Sequence, residues 1–251
     1  MKIISIANVK GGTGKTNTTI GLAKELSKNY KVLVVDNDPQ SNITSILLND
    51  IKEFDNTLYD VYLQKNIGFN DCIYEFQENF YIIPNCLNSM TLDLELSSKG
   101  NRENILLNKL HTIPNIFDFV IIDNSPFISL QMKNSLIISD LIICPIDNSS
   151  SSLQGYNMMM NTLKSLQDDN LISQKNICVL RNRFDKTSKF TKDFNITVQE
   201  SLKDVLLETI IFNSIKYKEA SALHTTIQQH SKEHSKVFTD LTNEVLDKIF
   251  I

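Results

Sequence analysis

The sequence predicts a single-domain α/β protein in which a mostly parallel, twisted sheet is flanked by helices on both faces. Two observations carry this prediction: short β-branched runs alternate with helical patterns along the chain, and most of these runs are apolar on both sides. Such strands are typical of parallel sheets that helices cover from above and below. A length of 251 residues, of which 41% are hydrophobic, suits one domain with an ordinary core.

The predicted strands cover residues 3–9, 31–35, 80–83, 119–122, 141–144, 177–180 and 209–212. The predicted helices cover residues 16–29, 102–111, 153–167 and 238–249, with a short amphipathic helix around Leu58, Val61 and Tyr62. The strands are apolar runs of a few residues, whereas the helices repeat their apolar positions at helical spacing. The polar stretches 148–152 and 185–193 are predicted to be loops rather than linkers, so residues 1–251 form one predicted domain.

Charge and cysteine content restrict the classes of function. The formal net charge is −4, so any contact with nucleic acid must come from a local patch rather than from the whole surface. The four cysteines are scattered, which argues against a zinc site or a disulfide scaffold and favours reduced thiols in the cytoplasm. Neither a signal peptide nor an apolar run of about 18 residues is found, so no membrane span is expected.

A glycine-rich loop lies between the first predicted strand and the first predicted helix. It ends in the Gly14-Lys15-Thr16 of a Walker A motif, and strand–loop–helix is the context in which such a match is meaningful. The glycines let backbone N–H groups curl around phosphate oxygens, and the helix directs its positive end at the same place. Lys15 is expected to neutralise the β- and γ-phosphates, and the Thr16 hydroxyl to ligate Mg²⁺. The loop therefore predicts a P-loop NTPase that binds ATP and Mg²⁺.

Two further predicted strands end in aspartates. The segment V-L-V-V-D-N-D-P-Q carries Asp36 and Asp38, and F-V-I-I-D-N-S-P carries Asp123. Ligands bind at the carboxyl edge of open α/β sheets, so these carboxylates are expected near the phosphate loop. Asp123 has the position of a Walker B aspartate, which binds magnesium through its waters. Taken alone, Asp36 and Asp38 would be better interpreted as an N-cap pair for the helix that follows; beside the phosphate loop, the functional interpretation is favoured.

A second lysine, Lys10, sets this loop apart from a general Walker A motif, whose first glycine would fall at Val9. The loop K-G-G-x-G-K-T and the motif D-x-D-P-Q at residues 36–40 resemble the deviant Walker A ATPases of the ParA/MinD family. The resemblance covers essentially the whole chain and becomes thinner after Pro145. It implies that Lys10 reaches the phosphates bound by a partner subunit, that Asp38 positions or activates the attacking water, and that Asp36 helps to hold the Mg²⁺ shell.

Motif and resemblance together define the candidate site residues. The catalytic candidates are Lys10, Lys15 and Asp38. The nucleotide-binding candidates are Lys10, Gly11, Gly12, Thr13, Gly14, Lys15, Thr16, Asn17 and Asn182. The metal candidates are Thr16, Asp36 and Asp123. Asn182 is included among the nucleotide-binding candidates because Arg181-Asn182-Arg183 follows a predicted strand and could form a wall for the adenine. The alternative is that these residues are simply a charged strand end. The resemblance is imperfect at Asn124, where relatives usually carry threonine or another small residue.

Within the family, the chain is most similar to small, Soj-like ParA partition proteins. The phosphate loop starts at residue 10, so no N-terminal helix-turn-helix domain and no operator binding are expected. The resemblance implies a homodimer formed on ATP, non-specific binding to duplex DNA, stimulation by a ParB-like centromere-binding partner, and a cytoplasmic, nucleoid-associated location. The candidate DNA contacts are Lys189, Lys192, Lys216 and Lys218. Their alternative is an ordinary solvated face.

Two other family members provide alternatives. A MinD-like ATPase would end in a basic amphipathic helix, but residues 239–251 carry three acids and one lysine. Anionic lipid would repel that segment, so its apolar stripe is predicted to pack in the core and no stable membrane association is expected. A nitrogenase iron-protein relative needs paired cysteines for an iron–sulfur cluster. Cys86 and Cys144 do not fit that role well.

Overall fold

The computed structural model describes residues 1–51, 53–185 and 189–250, and a single sheet lies at its centre. Its eight strands are β1 (Lys2–Ile6), β2 (Val32–Asn37), β3 (Tyr74–Gln77), β4 (Phe80–Ile83), β5 (Phe119–Asn124), β6 (Leu141–Ile146), β7 (Asn176–Phe184) and β8 (Leu206–Phe212). They lie in the order β3-β4-β2-β5-β1-β6-β7-β8. All neighbouring strands are parallel except β3 and β4, which are antiparallel. The predicted fold class is therefore confirmed.

Helices connect the strands and cover both faces of the sheet. They are α1 (Lys15–Leu26), α2 (Asn42–Leu47), α3 (Leu58–Leu63), α4 (Leu92–Glu95), α5 (Ile105–Lys109), α6 (Leu130–Ile138), α7 (Ser150–Asp168), α8 (Lys189–Ser201), α9 (Ile215–Ala222), α10 (Ile227–His230) and α11 (Lys232–Ile249). In the part of the chain that the structure describes, no helix is both long enough and apolar enough to cross a bilayer.

Two hydrophobic cores lie on opposite faces of the sheet. One is built mainly from α3, α5, α6 and α7, and it includes Tyr62 and Leu163. The other is built from α1, α2, α9 and α11. Phe238, Leu241 and Val245 of α11 are fully buried in this second core, and α11 packs against α1 and β8. Each such side chain contributes about 1.5–3 kcal/mol of transfer free energy, so the C-terminal stripe is part of the core, as predicted.

The structure corrects the sequence prediction in several places. The predicted strand 3–9 ends at Ile6, and the predicted helix 102–111 is an α-helix only over Ile105–Lys109. Residues 150–152 were expected in a loop but open α7, because the Ser149 hydroxyl caps its first turn by accepting from the Ser152 N–H. Of the predicted loop 185–193, residues 189–193 belong to α8, and residues 186–188 lie outside the described residues. The sequence prediction also lacked α6, nearly all of whose residues are buried. A helix that is buried all round has no apolar stripe to reveal it.

Candidate functional site

The phosphate loop runs from the end of β1 to the start of α1, as the sequence predicts. Gly12 and Gly14 have φ angles of 79° and 86°, a conformation that a residue with a Cβ atom rarely adopts. A Cβ on Gly14 would also lie 2.4 Å from the side-chain nitrogen of Asn182. Glycine is therefore required at residue 14 by both backbone conformation and packing. The left-handed residue directly precedes α1, whose N-terminal N–H groups have no capping side chain and remain available for an anion.

Lys15 is buried beneath this loop and close to two carboxylates. Its side-chain amine donates to the Lys10 carbonyl oxygen at 3.0 Å. Burial lowers the pKa of Lys15, while the negative charges of Asp123 and Asp38 raise it. The lysine is therefore held at the point where the ends of β2 and β5 meet the loop. Burial disfavours the charged form of the Lys15 amine, and the negative charge of a bound polyphosphate would stabilise that form. The site is therefore suited to a polyphosphate.

Asp123 is the penultimate residue of β5, which is buried throughout, and it is bonded to the first turns of α1. Its carboxylate accepts from the Thr16 hydroxyl at 2.8 Å and from the Thr19 hydroxyl at 3.0 Å. Burial, followed by the nearby charge of Asp36, raises the pKa of Asp123 to about 7. A buried carboxylate and a hydroxyl, both hard oxygen donors, fit Mg²⁺ as Walker A and Walker B ligands do. Thr16 and Asp123 are thus brought together, as the sequence predicts for a metal site.

Asp36 and Asp38 have different surroundings although only one residue separates them. The Asp36 carboxylate accepts from the backbone N–H and the hydroxyl of Thr44 at 2.9 and 2.7 Å. It is completely buried, which raises its pKa to about 6, although the Thr44 bonds lower it. Asp38 instead lines the cavity beside the phosphate loop and accepts from the Gln40 N–H. Asp38 is therefore placed for contact with a ligand, whereas Asp36 holds the start of α2; its role in the metal shell stays a prediction.

Lys10 does not line the cavity beside the phosphate loop, whereas Lys15 does. Its amine is bonded to the Asp147 carboxylate and donates to the Ser149 hydroxyl at 2.9 Å. Burial alone would raise the pKa of Asp147, but the hydrogen bonds from Lys10 and Ser149 outweigh it and lower the pKa. Asp147 is not among the site residues predicted from the sequence. It could have been found by the same signal as Asp123, since it directly follows an apolar strand.

A cavity of about 600 Å³ adjoins the phosphate loop. Its lining includes predicted nucleotide-binding residues, namely Gly11, Gly12, Gly14, Lys15, Thr16, Asn17 and Asn182. From α9 the lining adds Tyr217 and Lys218, and Asn213 and Ser214 follow β8. Thr13 is not among the lining residues and is completely buried. Lys218, a candidate DNA contact, is exposed and also lies on the wall of this cavity.

Asn182 belongs to the cavity, but its amide nitrogen is already engaged. It donates to the Thr18 hydroxyl at 2.9 Å and to the Gly14 carbonyl at 3.3 Å. These bonds fix the phosphate loop to β7. The predicted bond from Asn182 to adenine stays a prediction. The side-chain oxygen of Asn182 takes part in neither of the two bonds described above. The neighbouring Arg181 is buried and donates to the Leu207 and Glu208 carbonyls, which makes it a structural residue.

The candidate DNA lysines lie on two helices. Lys189 and Lys192 belong to α8, and Lys216 and Lys218 to α9. Lys216 donates to the Glu219 carboxylate at 2.8 Å, and the same carboxylate oxygen contacts the His230 ring at 2.9 Å. Lys216 is therefore partly neutralised within its own helix.

The fold and the site together define a P-loop NTPase. The features that do so are the order of the strands, the loop between β1 and α1, and the aspartates Asp36 and Asp123 near the carboxyl ends of β2 and β5. A family model described as an AAA domain matches residues 1–179, which is more than half of the chain. The chain belongs to this family, and its relatives place it among the ParA/MinD-type ATPases.

Two of these relatives have named functions. Soj of Bacillus subtilis, a sporulation initiation inhibitor protein, is 28% identical over 97% of this chain and 98% of its own length. The cell division protein PomZ of Myxococcus xanthus is 30% identical over 86% of this chain and 68% of its own length.

Solved structures share the same fold. A candidate plasmid partition protein from Borrelia burgdorferi, crystallised with AMPPNP, superposes with a TM-score of 0.86. It is 26% identical and is matched over 98% of this chain and 99% of its own. The ATP complex of Cyanothece McdA has the same TM-score, with 23% identity over 98% and 96% of the two chains. The latter likeness concerns the fold alone.

Proposed function

We propose that this chain is an ATPase of the DNA-partition type. It binds ATP and Mg²⁺, forms a homodimer around the nucleotides, binds duplex DNA without sequence preference, and hydrolyses ATP when a ParB-like centromere-binding protein stimulates it. Residues 1–251 act as one ATPase domain in this cycle. The ParA-type relatives and the plasmid-partition neighbour support this choice within the family.

The observation that carries the proposal is the position of Lys10. The chain has two lysines in its phosphate loop, but only Lys15 lines the nucleotide cavity. The Lys10 amine lies in a neighbouring polar cavity with Asp147. A cation that borders the phosphate loop, yet does not line its own nucleotide cavity, is suited to complete the site of a second copy. In that dimer Lys10 exchanges Asp147 for the phosphates of the partner's nucleotide.

The remaining roles follow from the geometry of the cavity. Lys15 and the N–H groups of the loop bind the phosphates, and Thr16 and Asp123 hold Mg²⁺, which neutralises phosphate charge when bound. Asp38 lies on the cavity wall near Lys15 and orients the attacking water. Orienting a nucleophile lowers the barrier of the chemical step more than it affects binding of the ground state.

DNA binding is assigned to lysines of α8 and α9, with Lys216 as the central residue. A monomer of net charge −4 should bind duplex poorly, because phosphate contacts supply nearly all non-specific affinity. Dimerisation doubles the number of these lysines in the particle and thereby the number of DNA phosphates that they can contact. Binding to DNA should therefore appear with ATP and Mg²⁺ and disappear with ADP, and it accounts for a nucleoid-associated location.

The test measures dimerisation and DNA binding in the same samples. Light scattering should detect a dimer with ATP and Mg²⁺ but not with ADP. A mobility-shift assay should detect DNA binding only in the dimeric sample. The affinity for DNA should fall by about 0.9 log unit per log unit of salt for each phosphate neutralised. Lys216→Glu should remove DNA binding and retain the dimer.

Lys65→Glu is the matched control, because Lys65 is exposed and follows α3, which packs on the opposite face of the sheet from α9. This control should bind DNA within about twofold of the unmodified chain. Absence of DNA binding in every nucleotide state at low salt would refute the partition assignment. Binding to anionic vesicles instead would favour the MinD-like alternative.

A further inference from the structure

Arg183, near the end of β7, has an unusual backbone. Its φ angle is 58°, in the left-handed region that residues with a Cβ atom other than asparagine and aspartate seldom occupy. The pairing of β7 with β8 is irregular at the same point, between Asn182 and Phe184. Strained backbone of this kind persists only where the surrounding structure enforces it, and it concentrates at functional sites.

The irregularity changes the direction of two neighbouring side chains. In a regular strand, consecutive side chains point to opposite faces, so only one of Asn182 and Arg183 could reach the phosphate loop. Here both do: Asn182 donates to the Gly14 carbonyl at 3.3 Å, and the Arg183 guanidinium donates to the Gly12 carbonyl at 2.6 Å. The left-handed turn at Arg183 thus brings a second side chain of β7 onto the loop.

The Gly12 carbonyl is a sensitive point of the loop. Gly12 has a φ angle of 79° and no side chain, so the peptide unit that follows it can rotate easily. In a trans peptide the Gly12 carbonyl and the Thr13 N–H lie in one plane and point in opposite directions, so a rotation of this unit moves both groups. A carbonyl rotated towards the nucleotide would present lone pairs to anionic phosphate oxygens. The bond from Arg183 holds this oxygen on the side of β7.

We infer that Arg183 is a positioning residue for the phosphate loop, which fixes the Gly12–Thr13 peptide so that the loop presents N–H groups rather than a carbonyl to the polyphosphate of the nucleotide. This inference rests on the proposed nucleotide binding. Arg183 lines both the nucleotide cavity and the neighbouring cavity of about 330 Å³ that holds Lys10 and Asp147. Arg183 therefore lies between the phosphate site and the cavity of Lys10, as do Gly11, Gly12 and Asn213.

The test compares Arg183→Asn with Arg183→Lys. Asparagine tolerates the left-handed backbone but lacks the guanidinium, whereas lysine keeps the charge and loses the planar fork. Arg102→Gln is the control for loss of a surface arginine, since Arg102 is bonded to Glu103 and Ser97 far along the chain from the loop. Fluorescently labelled ATP, ADP and AMP are titrated at low salt and at about 0.5 M salt, where the Debye length is only about 4 Å.

We expect Arg183→Asn to bind ATP and ADP about tenfold more weakly, the size expected for loss of one hydrogen bond to a charged group. AMP affinity should change less than twofold, because AMP lacks the phosphates that the loop encloses. The loss should persist at high salt and be only partly restored in Arg183→Lys. The unfolding midpoint of the ligand-free variant should match that of the unmodified chain.

Three results would overturn the inference. Unchanged ATP affinity in Arg183→Asn would show that the bond to Gly12 has no role. A loss that disappears at high salt and is fully restored by lysine would show that Arg183 acts through charge alone. Equal losses for AMP and ATP, with a lower unfolding midpoint, would show a role in folding only. Failure of the unmodified chain to bind ATP would instead refute the proposed function.

Discussion

Replacing Gly155 by alanine tests how closely α7 is tied to the phosphate loop. A Cβ at this position would lie 2.3 Å from the Asn8 side-chain oxygen and 2.9 Å from the Lys10 backbone nitrogen. Asn8 has no room to move: its amide donates to the Pro145 carbonyl at 2.8 Å, and its oxygen accepts from the Lys10 N–H at 2.9 Å. The added methyl group must therefore displace either α7 or Asn8.

The size of the effect follows from opposing contributions. Overpacking a buried contact costs about 1–3 kcal/mol, and loss of the Asn8–Lys10 hydrogen bond costs about 0.5–1.5 kcal/mol. Alanine gains about 1 kcal/mol over glycine in helix propensity. The free energy of unfolding should thus fall by about 0.5–3.5 kcal/mol, whereas propensity alone would raise it.

Urea unfolding of the nucleotide-free chain measures this difference, with Gly100→Ala as the matched control. Apart from its chain neighbours, no atom of the described residues lies within 4 Å of a Cβ built on Gly100, so the control should stay within about 0.5 kcal/mol of the unmodified chain. An unfolding free energy for Gly155→Ala that equals or exceeds that of Gly100→Ala would refute the proposed close contact.

Three further variants test the site itself. Lys15→Ala should weaken ATP binding about 10–100-fold, as loss of a charged hydrogen-bond partner implies, and an unchanged affinity for labelled ATP would contradict the assignment. Asp38→Ala should bind ATP normally but lose at least about 100-fold in phosphate release; normal turnover would mean that the water is held elsewhere. Because burial raises the pKa of Asp123 to about 7 from a usual 3.8, the folded chain holds a proton that the unfolded chain releases, and stability falls as pH rises between these values. Asp123→Asn should remove that loss and, without nucleotide or Mg²⁺, stabilise the chain by about 1–3 kcal/mol at pH 8 and by less than half as much at pH 5, as urea unfolding would show; a destabilised variant at pH 8 would contradict this.

The sequence predicts the central strands well because their signal is local. The strands β2, β5 and β6 are buried throughout and each opens with a run of four apolar residues, the pattern that burial on both faces of a parallel sheet favours. The short antiparallel β3 has only partly buried or exposed residues, so no comparable pattern marks it. In α8 the charged residues near its start resemble a loop, although the structure shows a regular helix.

For the site, the sequence identifies residues of the right type but not their partners. The partner of Asp36 is Thr44 in the next helix, and the partner of Lys10 is Asp147, which lies 137 residues further along the chain. Such pairings depend on how strands are ordered in the sheet, and motif spacing carries no information on that order. The contact of Arg183 with Gly12 cannot be predicted from the sequence for a further reason. It depends on a left-handed residue inside a strand, for which the sequence gives no signal.

The most direct measurement of the central claim mixes two inactive variants, Lys10→Ala and Asp38→Ala, before ATP is added. If Lys10 completes the site of the partner, a mixed dimer has one intact site, in which the Lys10→Ala chain supplies Asp38 and the Asp38→Ala chain supplies Lys10. Phosphate release should then recover to about a quarter of the unmodified activity, because about half of randomly formed dimers are mixed and each has one active site of two. A mixture no more active than the separate variants would show that Lys10 acts within its own chain, and would contradict the proposed dimer.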